Sequence, residues 1–175
     1  MPRIPYYDLG KASPEVAEVM KDRRPLNIYR MIVHGEKVAV GFLGLGRSIM
    51  TATELDATLK ELVILRVAAL CGSTYEVTQH RKLAAKAGIA AEKIEAVVAD
   101  PGKPLPAGPF NAAEQAVLRF ADVVVRDVKA PDPVFRAVAA VLPSRQIVEL
   151  LMTIGFYMLA SRISENLEVD LEAES

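Results

Sequence analysis

Glu61, Glu76 and His80 are the residues of this sequence whose types and spacing could do chemistry. Glu76 and His80 stand one helical turn apart, so a helix over 73–87 puts both on one stripe with Ser73, Val77, Leu83, Ala84 and Ala87. The rest of that stripe is mostly apolar, while Thr78, Arg81, Lys82, Ala85 and Lys86 form a solvated opposite side. A polar pair turned toward an apolar interior requires a reason. Glu61 lies on the preceding helix, and the tight connection at Gly72 makes the two helices antiparallel neighbours, which brings Glu61 toward the pair. Two carboxylates and an imidazole in an apolar pocket can move protons. Burial raises a carboxylate pKa, and a nearby carboxylate orients a histidine and favours its cation. Plainer readings stand beside this one. Ser73-x-x-Glu76 has the spacing of a capping box, His80 could be a half-buried partner of Glu76, and Glu61 could be a solvated first-turn residue.

Other candidates carry less. Glu61, Glu76 and His80 are too few to hold a metal, and Glu-x-x-x-His differs from the Glu-x-x-His of di-iron bundles, so neither metal nor cofactor is expected. Gly41-x-x-Gly44-x-Gly46 follows no predicted strand and lacks the Gly-Lys-Ser/Thr ending of a phosphate loop. Arg47, Arg66 and Arg162 are candidates to bind a substrate carboxylate. Arg66 stands out as the lone charge in a buried helix, and Tyr75 beside Glu76 is a further substrate-binding candidate. His34 is isolated. The single cysteine, Cys71, excludes an intrachain disulfide and a cysteine-based zinc site.

The elements that must position these residues are helical. No segment alternates with a period of two between turn signals, so the expected fold is all-α, in one domain. Residues 1–13 read as an extended N-terminal arm, 14–167 as the helical domain and 168–175 as an acidic tail. Ser13-Pro14 opens the first helix and Pro25 ends it; a short helix follows from Asn27 to His34. The glycines of 36–50 predict a helix closely packed at each of them. Thr53–Cys71 is the strongest helix, and its second half, Leu62–Cys71, is apolar almost all round, which predicts burial. Helices over 90–99, 111–128, 133–141 and 144–166 complete the set, with a Pro- and Gly-rich loop at 100–109.

Composition narrows the function. Hydrophobic residues make up 51% of the 175-residue chain, aromatics only 6%, and Trp is missing, so the core is built of Ala, Val, Leu, Ile and Met. That is more apolar surface than one small domain hides, and subunit contacts are expected. The net charge of -1, without a basic block, gives no footprint for nucleic acid. The Lys21–Arg24 run includes Asp22 and reads as a solvated turn. The N-terminus lacks the apolar region of a signal peptide, and no uninterrupted apolar run approaches the ~20 residues that span a bilayer. The expectation is a cytoplasmic protein with a small-molecule substrate and no membrane partner.

Glu61-Leu62-Val63-Ile64-Leu65-Arg66-Val67-Ala68, Tyr75-Glu76-x-x-x-His80 and Ala84-x-x-x-Gly88-Ile89 together resemble the carboxymuconolactone decarboxylase family, part of the alkylhydroperoxidase D-like superfamily. The resemblance covers about residues 36–125, and the Arg3-Ile4-Pro5 arm is similar to that of longer members. It implies a helical bundle of the alkylhydroperoxidase D-like type and a homo-oligomer, a trimer or hexamer. In the thiol-peroxidase members a Cys-x-x-Cys precedes the histidine. By that spacing Ser73 and Glu76 stand at the two thiol positions, while Glu61 and His80 match the glutamate and histidine. Cys71 is out of register and has no resolving partner, and thiol peroxidase chemistry needs both thiols. The resemblance therefore implies the decarboxylase branch: loss of CO₂ from a carboxylated γ-lactone without a cofactor, then reprotonation of the dienolate. Glu76 and His80 would handle the proton and Glu61 would orient His80. Few arginines are placed by spacing to hold a dicarboxylate, which leaves another lactone or an enolisable carbonyl compound as substrate. The alternatives are a peroxidase or antioxidant role through Cys71, and a non-catalytic ligand-binding or oligomerisation protein.

Overall fold

The computed structural model describes residues 1–103, 105–106 and 108–173; Pro104 and Ala107 of the expected loop, and Glu174 and Ser175 of the expected tail, lie outside them. The described residues form helices and turns without a strand. The helices are α1 (Pro14–Met20), α2 (Asn27–Ile32), α3 (Lys37–Thr51), α4 (Ala57–Leu70), α5 (Thr74–Lys86), α6 (Ala91–Val98), α7 (Ala112–Asp127), α8 (Asp132–Ala139) and α9 (Ser144–Asn166).

Helix α4 is the axis of the bundle. Every residue from Lys60 to Ala69 is buried, as an all-round apolar sequence requires, and α5, α6, α7 and α9 pack around it. It begins later than Thr53 because Asp56 is its cap, accepting from the Thr58 and Leu59 amides at 3.0 and 2.9 Å. The preceding amides of Glu54 and Leu55 instead donate to the Glu149 carboxylate of α9, at 2.8 and 3.0 Å. Lys60 is a buried cation with a local reason. Its Nζ donates to the carbonyls of Ile49 and Met50, at 2.9 and 3.1 Å, and so closes the C-terminal end of α3.

The turn into α5 is built by Gly72, whose φ of +69° suits a residue without a Cβ. The Ser73 amide donates to Ala68 at 2.9 Å, and Gly88 at φ +83° ends the next helix. On α5, Ser73, Tyr75, Glu76, His80 and Ala84 are buried, whereas Leu83 of the predicted inner stripe is 41% exposed. The packing rotates the buried face toward Tyr75.

Two apolar clusters result. The larger joins α4 with α7, α8 and α9 through residues such as Leu62, Leu65, Leu118 and Ile154. The smaller gathers α1, α2 and α3 onto Tyr75 and Ala160. The glycines of α3 are not all points of close packing. A Cβ at Gly41 or Gly44 would meet nothing within 4 Å, but one at Gly46 would lie 2.6 Å from the Phe156 ring. Only the last glycine faces α9. Helix α9 has 23 residues and is apolar enough in length and composition to cross a membrane, yet 50% of that stretch is buried within the fold, as in a core helix.

Residues 168–173 run back along the N-terminal arm. Arg3 pairs with Glu168 at 2.8 Å, the Tyr6 hydroxyl meets Asp170, and the Glu172 carboxylate accepts from the Asn27 amide at 2.8 Å and from the Gln79 side chain.

Candidate functional site

A cavity of about 480 Å³ opens at the seam between the two apolar clusters. Its floor is buried: Ile28, Ile32, Leu43, Tyr75, Glu76, His80, Tyr157 and Ala160. Exposed residues at its edge include Asp22, Arg24, Arg47 and Lys82.

The three residues expected to converge do so. His80 Nδ1 lies 2.8 Å from Glu61 Oε2 across the α4–α5 interface, and His80 Nε2 lies 3.6 Å from Glu76 Oε2 on its own helix. All three side chains are buried. When the ring carries one proton, the Glu61 contact selects the tautomer with that proton on Nδ1, which leaves the Nε2 lone pair beside Glu76 at the cavity. Glu61 itself stands behind the histidine and does not line the cavity.

Glu76 does not close a capping box. Ser73 accepts from the Glu76 amide at 3.3 Å, but the Ser73 amide is already bound to Ala68 and the Glu76 carboxylate faces His80. The contrast is internal: at α7, Asn111 and Glu114 make both halves of the motif, at 2.9 and 2.8 Å. Burial pushes the Glu76 carboxyl above its ordinary pKa, with Glu165 adding to the effect and the His80 charge opposing it.

The other expected site residues divide. Tyr75 lines the cavity, but its hydroxyl donates to Glu172 at 2.5 Å and accepts from the Ile28 amide at 3.3 Å. Arg66 is 1% exposed and does not line the cavity; it forks onto Asp122, with Nε 2.5 Å and Nη2 2.9 Å from the carboxylate oxygens. That places it in the core rather than at a substrate. Arg162 turns to the Met158 carbonyl, and Arg47 does line the cavity. Burial pushes the Cys71 thiol above its ordinary pKa, the opposite of what a reactive thiolate needs. Among the described residues no His, Cys, Asp and Glu cluster could hold a metal ion.

Sequence reasoning missed the far wall. Phe42 and Phe156 stack with centroids 4.4 Å apart, and the Tyr157 ring meets the His80 ring edge-on at 4.9 Å. Both α9 residues are remote in sequence from α5, and an aromatic pair in an apolar helix carries no signal beyond core packing. The cations around the cavity were also undercounted. Arg23, Arg24, Arg47 and Lys82 line it, against Asp22 and Glu76, because the turn after α1, helix α3 and helix α5 each contribute from separate stretches of sequence.

Residues 36–122 match the model of the carboxymuconolactone decarboxylase family. The chain belongs to that family. The matched stretch runs from the start of α3 into α7 and contains Glu61, Glu76 and His80, while α9 lies outside it. No curated protein matches the chain. Among solved structures, an uncharacterized peroxidase-related protein of Ralstonia eutropha JMP134 with an alkylhydroperoxidase AhpD core superposes with a TM-score of 0.82 at 16% identity, covering 98% of this chain and 92% of the other. A peroxidase-related protein of Silicibacter sp. TM1040 gives 0.78 at 16% identity, covering 98% and 94%. The debrominase Bmp8, in a cysteine-to-alanine variant bound to 2,3,4-tribromopyrrole, gives 0.72 at 18% identity, covering 91% and 82%. At such identities the likeness is one of fold, the alkylhydroperoxidase D-like helical bundle. One of these neighbours, the debrominase, is named as an enzyme.

Proposed function

We propose that the protein is a cofactor-free acid–base enzyme of the carboxymuconolactone decarboxylase type, acting on a small lactone or enolisable carbonyl compound. The observation that carries this reading is the Glu61–His80–Glu76 group, with its one loosely held nitrogen at a cavity large enough for a small ligand. His80 Nε2 is the base and Glu76, its carboxyl held toward the neutral form by burial, is the acid. Decarboxylation breaks a C–C bond and leaves its electron pair in an enolate. A proton delivered from Glu76 or from the His80 imidazolium to carbon completes the reaction. The apolar floor favours loss of the charged carboxylate, and Arg24, Arg47 and Lys82 supply the field that draws an anionic substrate.

Solvent-deuterium incorporation into carboxylated and uncarboxylated γ-lactones tests the assignment. His80→Gln keeps size and a hydrogen-bonding end but is no base near neutral pH. It lowers the exchange rate by ~10²–10⁴-fold, with the thermal melt unchanged. Wild-type exchange in that variant sinks the reading.

The assembly is proposed as a homo-oligomer, a trimer or hexamer. Val148, Leu151, Met152 and Leu159 form an exposed apolar stripe on α9, at helical spacing, which supports burial against another subunit. Light scattering at micromolar concentration reads the mass directly, and a 19.0 kDa particle refutes the proposal.

A further inference from the structure

One buried hydroxyl beside the proton-transfer group has no good partner. Tyr157 of α9 is 5% exposed, and its ring stands perpendicular to that of His80, at 89°. Its hydroxyl donates to the thioether sulfur of Met50 at 3.3 Å. A thioether is a weak acceptor. Four other buried hydroxyls fare better: Tyr75 meets a carboxylate, Ser73 and Ser164 meet each other at 2.9 Å, and Thr153 meets the Glu149 carbonyl at 2.8 Å. Ser161 is the exception, and it does not line the cavity. Tyr157 and Met50 both line the cavity, so an oxygen atom entering it can replace the sulfur without opening the core. Burial, and then the Glu76 and Glu61 charges, push the phenol far above its ordinary pKa. It stays protonated and keeps a proton to donate.

We propose that Tyr157 is the oxyanion donor of this site: its hydroxyl turns from Met50 to the substrate's carbonyl oxygen and holds that oxygen as it becomes an enolate. The proposal rests on the acid–base reading and narrows its substrate class to compounds that pass through an enolate. The electron count is simple. As a C–H bond breaks, the proton goes to His80 Nε2, and the bonding pair moves through the new C=C bond onto the carbonyl oxygen. In decarboxylation the pair comes from the C–CO₂ bond instead. Tyr157 keeps its proton throughout, and its hydrogen bond strengthens as charge arrives on the acceptor in a water-poor wall. Protonation of carbon from Glu76 or the imidazolium returns the pair and frees the hydroxyl to rejoin Met50.

The probe is 4-nitrophenol, whose phenolate oxygen stands in for an enolate oxygen and whose ionised form is seen by absorbance; 4-nitrotoluene is its uncharged counterpart. Tyr157→Phe keeps the ring against His80 and removes only the hydroxyl. It weakens phenolate binding roughly 10- to 100-fold, the range for hydrogen bonds to charged groups, and leaves 4-nitrotoluene binding unchanged. Met50→Leu, close in volume, removes the competing sulfur and tightens phenolate binding several-fold. This second variant decides the matter alone if Tyr157→Phe fails to fold. His80→Gln separates the two proposals, since it retains phenolate binding while losing deuterium exchange. If His80→Gln exchanges normally but Tyr157→Phe still loses the phenolate, the donor stands and the acid–base reading falls. Absence of phenolate binding by the wild type, equal binding in Tyr157→Phe, or no change in a folded Met50→Leu overturns the proposal.

Discussion

Glu61 and Arg66 leave the same buried helix and meet polar partners on different neighbours. Arg66 ends in a contact that occupies all three of its guanidinium nitrogens. Asp122 takes Nε and Nη2, and the Val97 and Ala99 carbonyls, at 3.3 and 3.5 Å, take Nη1. Glu61 ends on one nitrogen of His80 at 2.8 Å and leaves the other at 3.6 Å from Glu76, beside a cavity. Both groups are buried contacts between a carboxylate and a nitrogen base. Near-saturation and burial make one a fixed joint, because every guanidinium nitrogen already has a partner and none lines the cavity. Incompleteness makes the other available, since a loosely held nitrogen next to a disfavoured carboxylate can give or take a proton at little structural cost.

The comparison breaks most readily at Asp122. Asp122→Ala leaves Arg66 charged and buried without its partner, and is expected to destabilise the fold by ~3–5 kcal/mol. The 17% exposure of the Asp122 side chain points to the lower end of that range. Denaturant midpoints at constant slope measure the loss. A change within a few tenths of a kcal/mol would mean that the fork is no more structural than the histidine group.

Glu76→Gln gives a smaller effect that sharpens the contrast. The Glu76 pKa is raised in the folded protein, so its contribution to stability is fully present below the unfolded-state value near 4.5 and is lost as pH rises through the folded-state value. Gln cannot ionise. The variant should match the wild type in acid and become the more stable of the two as pH climbs above the carboxylate range. Thermal melts of both proteins, taken as a difference at each pH, isolate this group from Glu172 and Asp56, whose pKa values move the other way. A variant that is less stable near neutrality would show that Glu76 is a stabilising ion-pair partner, and the two groups would then be alike.

The convergent half of the site was legible in the sequence because it depends on local rules. Helical spacing puts Glu76 under His80, and the Gly72 turn folds α4 back beside α5, so that Glu61 arrives at Nδ1. The all-helical fold was legible for the same reason: caps and apolar periods are short-range signals. What escaped depends on long-range packing. The partner of Arg66 lies on α7, and no spacing rule reaches that far, so a lone charge in a buried helix looked like a ligand site. Tyr157 and Phe156 meet α5 and α3 only after α9 crosses the bundle. Gly41 and Gly44 share the composition of Gly46 but not its neighbour, a difference that lies in the face each presents. Leu83 was assigned inward by strict period, and the large Tyr75 took the buried place instead.

Lys60 gives the site a mechanical property. Its ammonium grips the last turn of α3, where Met50 forms part of the cavity wall, and the next residue along α4 is Glu61. The wall that meets a ligand and the carboxylate that aims the imidazole are thus joined through a single peptide link on a helix buried from Lys60 to Ala69. Helix α3 carries Gly41, Gly44 and Gly46, each of which weakens a helix by ~1 kcal/mol relative to alanine, so the compliance of this wall lies toward its glycines and away from its anchored end.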